Sequence, residues 1–216
     1  TCVTLIDAQN LAQVHHPPFS PGAAVIVTQV NSSSLAEKLK SILLAVYPPD
    51  HPLQLVHDAG MPTMDVEFLT LDRLDCGRKM GDQVALYIPP LDRATAFEDF
   101  QEIVAHLRAP DGCPWDREQT HETLLTNLLE ECYEFIGAVR EGDYNHMYDE
   151  LGDVLLQVVF HAEIARQHGN FDINDVTTAI TGKMIERHPH IFGTVRADTS
   201  AQVLDNWEAI KRNQRG

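Results

Sequence analysis

Two acidic pairs lie inside segments that otherwise read as apolar helices, and this combination limits what the chain can fold into. The first segment contains the pair Glu131 and Glu134, with Glu130 beside it, and the second contains the pair Glu150 and Asp153. Residues three apart on an α-helix lie on one face, about 5–6 Å from each other. Because only a short EGD turn follows the first helix, the two helices are expected to be antiparallel neighbours. We therefore expect carboxylates from both helices to converge on one point.

The surroundings of these acids are apolar. Residues 151–160 predict a helix that is buried on most sides, with Asp153, Gln157 and His161 as one polar stripe along it. His161 is most simply a hydrogen-bonded core histidine. A single acidic pair is usually a solvated helix face, but two pairs beside apolar rows favour a metal site, because an unpaired buried carboxylate is costly. Ligation by oxygen alone suits Mg²⁺ or Mn²⁺ better than zinc or copper.

The chain changes character near residue 92. Short runs rich in β-branched residues predict strands at 25–30, 53–57, 66–71 and 84–88, with a helix between the first two. Beyond residue 92 the apolar spacing predicts helices at 96–108, 119–140, 145–168, 172–188 and 200–212. We expect a two-part chain, with an N-terminal α/β lobe at 1–91 and an all-α helical bundle at 92–216.

Charge and composition exclude several functions. The formal net charge is −16, and residues 94–216 carry 22 acidic against 10 basic side chains. Such a surface repels a phosphate backbone, so nucleic-acid binding is not expected, and a polyanionic small substrate needs a bridging cation. No stretch approaches the roughly 18 apolar residues of a membrane helix. The expected compartment is the cytoplasm, with all four cysteines as free thiols.

Five blocks stand out in the second part: GCPWDREQTHETL (112–124), LLEECYEF (128–135), DELGDVLLQVVFHAEIA (149–165), KMIERHPHIFG (183–193) and NWEAIK (206–211). In this order they resemble the MazG family of nucleoside triphosphate pyrophosphohydrolases. The resemblance implies a Mg²⁺-dependent enzyme, with Mn²⁺ as a possible substitute, that cleaves nucleoside triphosphates to nucleoside monophosphate and pyrophosphate. It also implies a homodimer.

The same resemblance assigns roles to individual residues. Its metal ligands are Glu131, Glu134, Glu150 and Asp153. Glu130 matches an acid that orients or deprotonates the attacking water beside Glu131. Residues near the phosphates or the pocket are Lys183, Arg187, Trp207 and Lys211. Glu186 stands where relatives often have arginine, which weakens the basic wall of the pocket.

Four further residues keep alternative interpretations. Asp116 is either a substrate-binding residue or the N-cap of a helix beginning at Arg117, with Gln119 completing a capping box. Trp115 is either a stacking platform for a base or a packed anchor of the CPW loop, and the anchor is the simpler interpretation. His188 and His190 either bind phosphate or form a helix-end turn.

Residues 1–91 resemble the C-terminal half of a tetrapyrrole methylase domain through IDAQNLAQVHHPPFSP, VIVTQV and YPPDHPLQLVHDAG. In that family S-adenosylmethionine binds between two lobes, and the Gly-rich lobe would lie before Thr1. The expectation is therefore a methylase–MazG fusion, of which this chain is a fragment, with His15, His16 and Asp58 as ordinary loop residues. Two alternative functions stay open: a noncatalytic nucleotide- and metal-binding module, and a remnant methyltransferase.

Overall fold

The computed structural model describes residues 2–77, 80–81, 83–92 and 96–213. The chain divides into two compact units, Thr1–Ile103 and Val104–Gly216. The predicted boundary, between residues 91 and 92, precedes this division, and residues 93–95 beside it lie outside the described residues.

The first unit is built on a five-stranded mixed sheet. Its strands are β1 (Val3–Asp7), β2 (Ala24–Thr28), β3 (Pro52–His57), β4 (Asp65–Thr70) and β5 (Ala85–Ile88). The order across the sheet is β1-β2-β5-β3-β4, with β1 parallel to β2 and every other pair antiparallel. The four predicted strands are present within one or two residues, whereas β1 was not predicted.

Helices cover this sheet and complete its core. They are α1 (Ala8–Leu11), α2 (Ser33–Leu43) and a 3₁₀ helix at Leu71–Cys76. The Ser32 hydroxyl caps α2 by accepting from the Leu35 N–H at 3.3 Å. Leu39 and Leu43 of α2 are fully buried in the same cluster as Leu55 of β3 and Leu86 of β5. An α/β lobe is therefore present in the first unit, as predicted.

The helices of the remaining chain are α3 (Phe97–Leu107), α4 (Pro114–Glu118), α5 (Leu125–Glu141), α6 (Tyr144–Gln167), α7 (Ile173–Arg187), α8 (Pro189–Phe192) and α9 (Ser200–Asn213). The described part of the second unit is all-α. None of the helices in the described ranges is both long enough and apolar enough to cross a membrane.

A tight turn makes α5 and α6 an antiparallel hairpin. Gly142 ends α5 in the left-handed region, with φ +70°, a conformation that favours glycine. Asp143 then caps α6, since its carboxylate accepts from the N–H groups of Asn145 and His146 at 3.0 and 3.1 Å. These two residues determine how the facing side chains of the helices are aligned.

The predicted helix 119–140 was wrong at its start. Residues 119–124 form a turn, because the hydroxyls of Thr120 and Thr123 accept from each other's backbone N–H at 3.2 and 2.9 Å. Such local side-chain bonds compete with the hydrogen bonding of a helix. Only from Leu125 onward does α5 begin.

The prediction that residues 151–160 are buried on most sides was also wrong for the single chain. Val159 and Phe160 are buried, but Leu151, Leu155 and Val158 are exposed. The reason is that α6 packs along α5 and against α7, which leaves one apolar face uncovered.

Asp143→Ala is expected to destabilise the protein by about 1 kcal/mol, the usual cost of losing an N-cap. For a chain of this size that corresponds to a fall in melting temperature of about 2–4 °C. Thermal unfolding followed by circular dichroism measures it. Glu141→Ala, which removes a nearby exposed carboxylate without a capping role, is the control. Equal melting temperatures for the Asp143 variant and the wild type would contradict the capping assignment.

Candidate metal centre

Three carboxylates meet between α5 and α6. Glu131 of α5 and both Glu150 and Asp153 of α6 each offer an oxygen atom, and these oxygens all lie within 4.8 Å of one another. Glu150 is buried, Glu131 is half-buried and Asp153 is exposed. The hairpin thus brings together three of the four predicted ligands, with at least one from each acidic pair.

The other two predicted acids lie close to this group. Glu134, predicted as a fourth ligand, and Glu130 are both exposed on α5. Burial raises the pKa of Glu131, and the negative charges of Asp153, Glu134, Glu150 and Glu130 raise it further. Mutual repulsion of this kind is relieved when a cation binds between the carboxylates.

Glu150 has a histidine partner that the sequence interpretation missed. Its Oε1 lies 2.9 Å from His146 Nε2, four residues earlier on α6. Its other oxygen, Oε2, is buried and has no hydrogen-bond partner among the described residues. The i, i+4 spacing of His146 and Glu150 was the available signal.

The residues present fit a hard divalent cation. All three donors are carboxylate oxygens, which is the ligand set that Mg²⁺ and Mn²⁺ prefer. The unpartnered Glu150 Oε2 supports this fit, because a buried carboxylate oxygen without a partner is costly. A cation bound at this cluster would satisfy that oxygen.

Arg108 organises the neighbouring loop and was also missed from the sequence. It is buried, and its Nε donates to Gln167 Oε1 at 3.1 Å. Its Nη1 donates to the carbonyl of Asp116 and, at 3.1 Å, to that of Gln119. The guanidinium also lies 5.4 Å from the centre of the Phe160 ring. One arginine therefore ties residues 116–119 to α6.

Neither simple interpretation of the CPW loop holds. Asp116 lies inside α4, whose N-cap is Cys113, so the prediction that Asp116 caps a helix beginning at Arg117 was wrong. Trp115 is 58% exposed, so the packed-anchor interpretation was wrong as well. Arg108 holds this segment in place through the carbonyls of Asp116 and Gln119, so the Trp115 indole is not needed to anchor it.

A basic and aromatic cluster joins α7 to α9. The Arg187 guanidinium lies 5.5 Å from the centre of the Trp207 ring, a cation–π distance. The His188 ring meets Trp207 edge-on at 4.9 Å. Lys183 is exposed and Lys211 is half-buried on the same two helices. The structure thus brings Arg187 and Trp207 together.

The polar stripe of α6 continues to a histidine pair. His121 Nδ1 lies 2.8 Å from His161 Nδ1, and the two rings are nearly coplanar, with an interplanar angle of 3°. Burial lowers the pKa of His161, and His121 lowers it further. His161 is therefore a half-buried, hydrogen-bonded histidine that is neutral at neutral pH.

Comparison with known families identifies this part of the chain. Residues 119–192 match the family described as the MazG nucleotide pyrophosphohydrolase domain. The match contains the acidic cluster and the α5–α6 hairpin. The chain therefore carries a MazG domain at residues 119–192.

Curated relatives extend the match in both directions. The uncharacterized protein YabN of Bacillus subtilis is 37% identical over 214 residues, covering 97% of this chain and 42% of that protein. The nucleoside triphosphate pyrophosphohydrolase/pyrophosphatase MazG of Thermotoga maritima is 51% identical over 120 residues, covering 56% of this chain and 46% of that protein. The chain spans less than half the length of these relatives.

Solved structures align with each part. A mazG-related protein of Thermotoga maritima matches with a TM-score of 0.46 and 27% identity, covering 53% of this chain and 98% of that one. The uroporphyrin-III-C-methyltransferase of Thermus thermophilus matches the N-terminal part with a TM-score of 0.33 and 19% identity, covering 40% of this chain and 37% of that one.

Glu131→Gln is expected to raise the melting temperature of the metal-free protein. Because the pKa of Glu131 is raised, the folded state binds more protons than the unfolded chain once the pH exceeds about 4.3, the ordinary glutamate value. The free energy of unfolding therefore falls as the pH rises from that value to the raised pKa, and it stays lower at neutral pH. The neutral amide removes this loss, so the melting temperature of the variant is expected to be higher than that of the wild type.

Thermal scans in EDTA at pH 7 and pH 4 measure this effect, which should shrink at the lower pH. Glu122→Gln, an exposed acid of the same unit, is the control. A lower melting temperature for the Glu131 variant at pH 7 would show that the carboxylate stabilises the metal-free fold.

Proposed function

We propose that the MazG part of this chain hydrolyses nucleoside triphosphates, including deoxynucleotides, to nucleoside monophosphate and pyrophosphate, with Mg²⁺ as cofactor and Mn²⁺ as a substitute. The observation that carries the proposal is the convergence of Glu131, Glu150 and Asp153 inside a domain matched to nucleotide pyrophosphohydrolases. Two relatives that match about half of this chain, one from Thermotoga maritima and one from Escherichia coli, carry that activity in their names. A role in cleansing the cytoplasmic nucleotide pool is part of the proposal.

Four carboxylates are the proposed ligands. Glu131, Glu150 and Asp153 form the group within 4.8 Å, and Glu134 is near enough for its charge to raise the pKa of Glu131. When bound, the cation neutralises phosphate charge and lowers the pKa of a water molecule, so that water can attack the α-phosphorus. Without it, this acidic surface repels a triphosphate.

Glu130 is the proposed proton acceptor. It is exposed on α5 and its charge reaches Glu131, so its carboxylate lies beside the cluster and open to solvent. In this position it accepts the proton of the attacking water, and Glu131 beside it on the same helix is a proposed metal ligand. General-base assistance of this kind is worth about 10²–10⁴-fold in rate.

The basic cluster is proposed to bind the phosphates. Lys183 and Arg187 of α7 and Lys211 of α9 supply positive charge, and the stacking of Arg187 on Trp207 holds the guanidinium in place. Trp115 is exposed and is proposed to contact substrate. The remaining proposed substrate contact is Asp116, which lies in α4 and whose carbonyl accepts a hydrogen bond from Arg108.

Removal of the ligands tests the reaction. The wild type is expected to release pyrophosphate, and not orthophosphate, from nucleoside triphosphates with Mg²⁺ and to be inactive in EDTA. Glu131→Gln and Asp153→Asn should each lower kcat more than about 100-fold, beyond the 10–100-fold effect of residues that only support a metal ligand. Pyrophosphate is quantified by a coupled assay, with Glu122→Gln as the control.

Each alternative outcome points to a different function. Nucleotide binding without pyrophosphate from folded wild-type protein would indicate the noncatalytic module. Orthophosphate would mean that another phosphoanhydride bond is cut. Binding of S-adenosylmethionine, measured by calorimetry, would instead support a methyltransferase.

The second proposal is a homodimer through the exposed apolar face of the hairpin. Leu129 and Tyr133 of α5 and Leu151, Leu155 and Val158 of α6 are large apolar side chains that the single chain leaves at least 41% exposed. Large apolar side chains that are left exposed together in this way are typical of an interface between proteins. Both helices that carry the acids contribute side chains to this face.

The dimer is tested by mass in solution. The wild type is expected to elute at about 48 kDa, twice the 24.2 kDa of the chain, by light scattering. Leu155→Glu should give the monomer mass, because a charge buried in such a face is costly. Leu204→Glu, on the exposed face of α9, should leave the mass unchanged. A monomeric wild type would exclude this interface.

A further inference from the structure

Unpartnered polar atoms continue along α6 beyond the acidic cluster. Gln157 is only 6% exposed, and its Oε1 has no partner in the part of the chain that the structure describes. His161 Nε2, one turn further on, is buried and unpartnered within the same ranges. Together with Glu150 Oε2, three of the five such atoms found in the described residues lie on this one stripe. A buried polar group without a hydrogen-bond partner is costly, so the grouping of three such atoms indicates a ligand.

The position of these atoms suggests which part of a ligand they meet. An α-helix rises 1.5 Å per residue, so Gln157 lies about 6 Å and His161 about 12 Å beyond Asp153 along the axis. A nucleotide whose phosphates are held at the carboxylates meets these two residues only with the part that extends away from the phosphates. That part is the sugar and the base.

The chemistry of the stripe points the same way. The amide of Gln157 is uncharged, and burial lowers the pKa of His161 so that its ring stays neutral. Beyond Asp153 the stripe carries neither a cation for phosphate nor a further acid for a metal. An amide and a neutral imidazole offer the mixture of donors and acceptors that an uncharged base or sugar requires.

A neighbouring histidine holds the second of these groups in place. His121 Nδ1 hydrogen-bonds His161 Nδ1 at 2.8 Å, with the rings nearly coplanar and their centroids 5.1 Å apart. This contact orients the His161 ring and couples its two nitrogens, because in the neutral ring Nε2 donates when Nδ1 accepts and accepts when Nδ1 donates. His121 follows the loop that Arg108 ties to α6, so the orientation has a rigid support.

We infer that Gln157 and His161 form the subsite for the nucleoside part of the substrate, with His121 as a positioning residue. The inference rests on the proposed function for the presence of a nucleotide at the carboxylates. It assigns base and sugar recognition to the interior of the α5–α6 hairpin, separate from the basic cluster of α7 and α9.

Probes with and without a nucleoside test this assignment. Calorimetry with Mg²⁺ measures binding of the α,β-methylene analogues of ATP, GTP, CTP and UTP, and of inorganic tripolyphosphate. In Gln157→Met and His161→Phe, affinity for the best-bound analogue should fall at least about tenfold, the effect of one lost buried hydrogen bond. Discrimination among the four bases should shrink, while tripolyphosphate affinity stays within about twofold. Gln9→Met, at an exposed glutamine, is the control.

Several outcomes would overturn the subsite. One is an equal loss of analogue and tripolyphosphate binding, which indicates a general structural effect. Gln157→Met is expected to fold, because methionine matches glutamine in length. Others are unchanged binding of every analogue, or a wild type that binds tripolyphosphate as tightly as all analogues or binds no probe. Pyrophosphate release is measured in parallel. A wild type that binds analogues through these residues but releases none keeps the subsite and overturns the proposed hydrolysis.

Discussion

Electrostatic repulsion between carboxylates held in an apolar hairpin is the constraint on which the second unit depends. Glu131, Glu150 and Asp153 offer oxygens within 4.8 Å of one another, and two further acids of α5 add to the negative potential. Ionised carboxylates at this separation repel strongly where burial weakens the screening by water. The arrangement persists because the packing of α5 on α6 forces it, and a divalent cation turns the repulsion into attraction.

The rest of the hairpin maintains this arrangement. Gly142 and Asp143 make the turn short and align the two helices, and Arg108 fixes the loop that precedes α5 against the last turns of α6. The groups change in character along α6, from ionised acids at Glu150 and Asp153 to neutral Gln157 and His161. A triphosphate nucleotide changes in the same order, from charged phosphates to an uncharged nucleoside, and this correspondence links the proposed reaction to the inferred subsite.

Periodicity and turn chemistry were enough to predict most helices and four strands, and the i, i+3 spacing of the acids was enough to predict their convergence. The failures have physical causes. Thr120 and Thr123 bond each other's backbone and delay the start of α5, a competition that apolar spacing does not register. Arg108 reaches the carbonyl of Asp116 and a side chain 59 residues away, and such long-range contacts leave no local pattern. The exposed Leu151 was predicted to be buried, because spacing reveals an apolar face but not which surface covers it.

Direct titration of the metal-free chain with Mg²⁺ and Mn²⁺ tests the central claim, that the converging carboxylates are a cation site. Calorimetry should show saturable binding. The melting temperature should rise with metal concentration, because metal at one hundred times its Kd stabilises the folded state by about 2.7 kcal/mol. Loss of both effects in Asp153→Asn would place the cation at this cluster. Absence of saturable binding in folded wild-type protein, with a melting temperature independent of metal, would contradict the account.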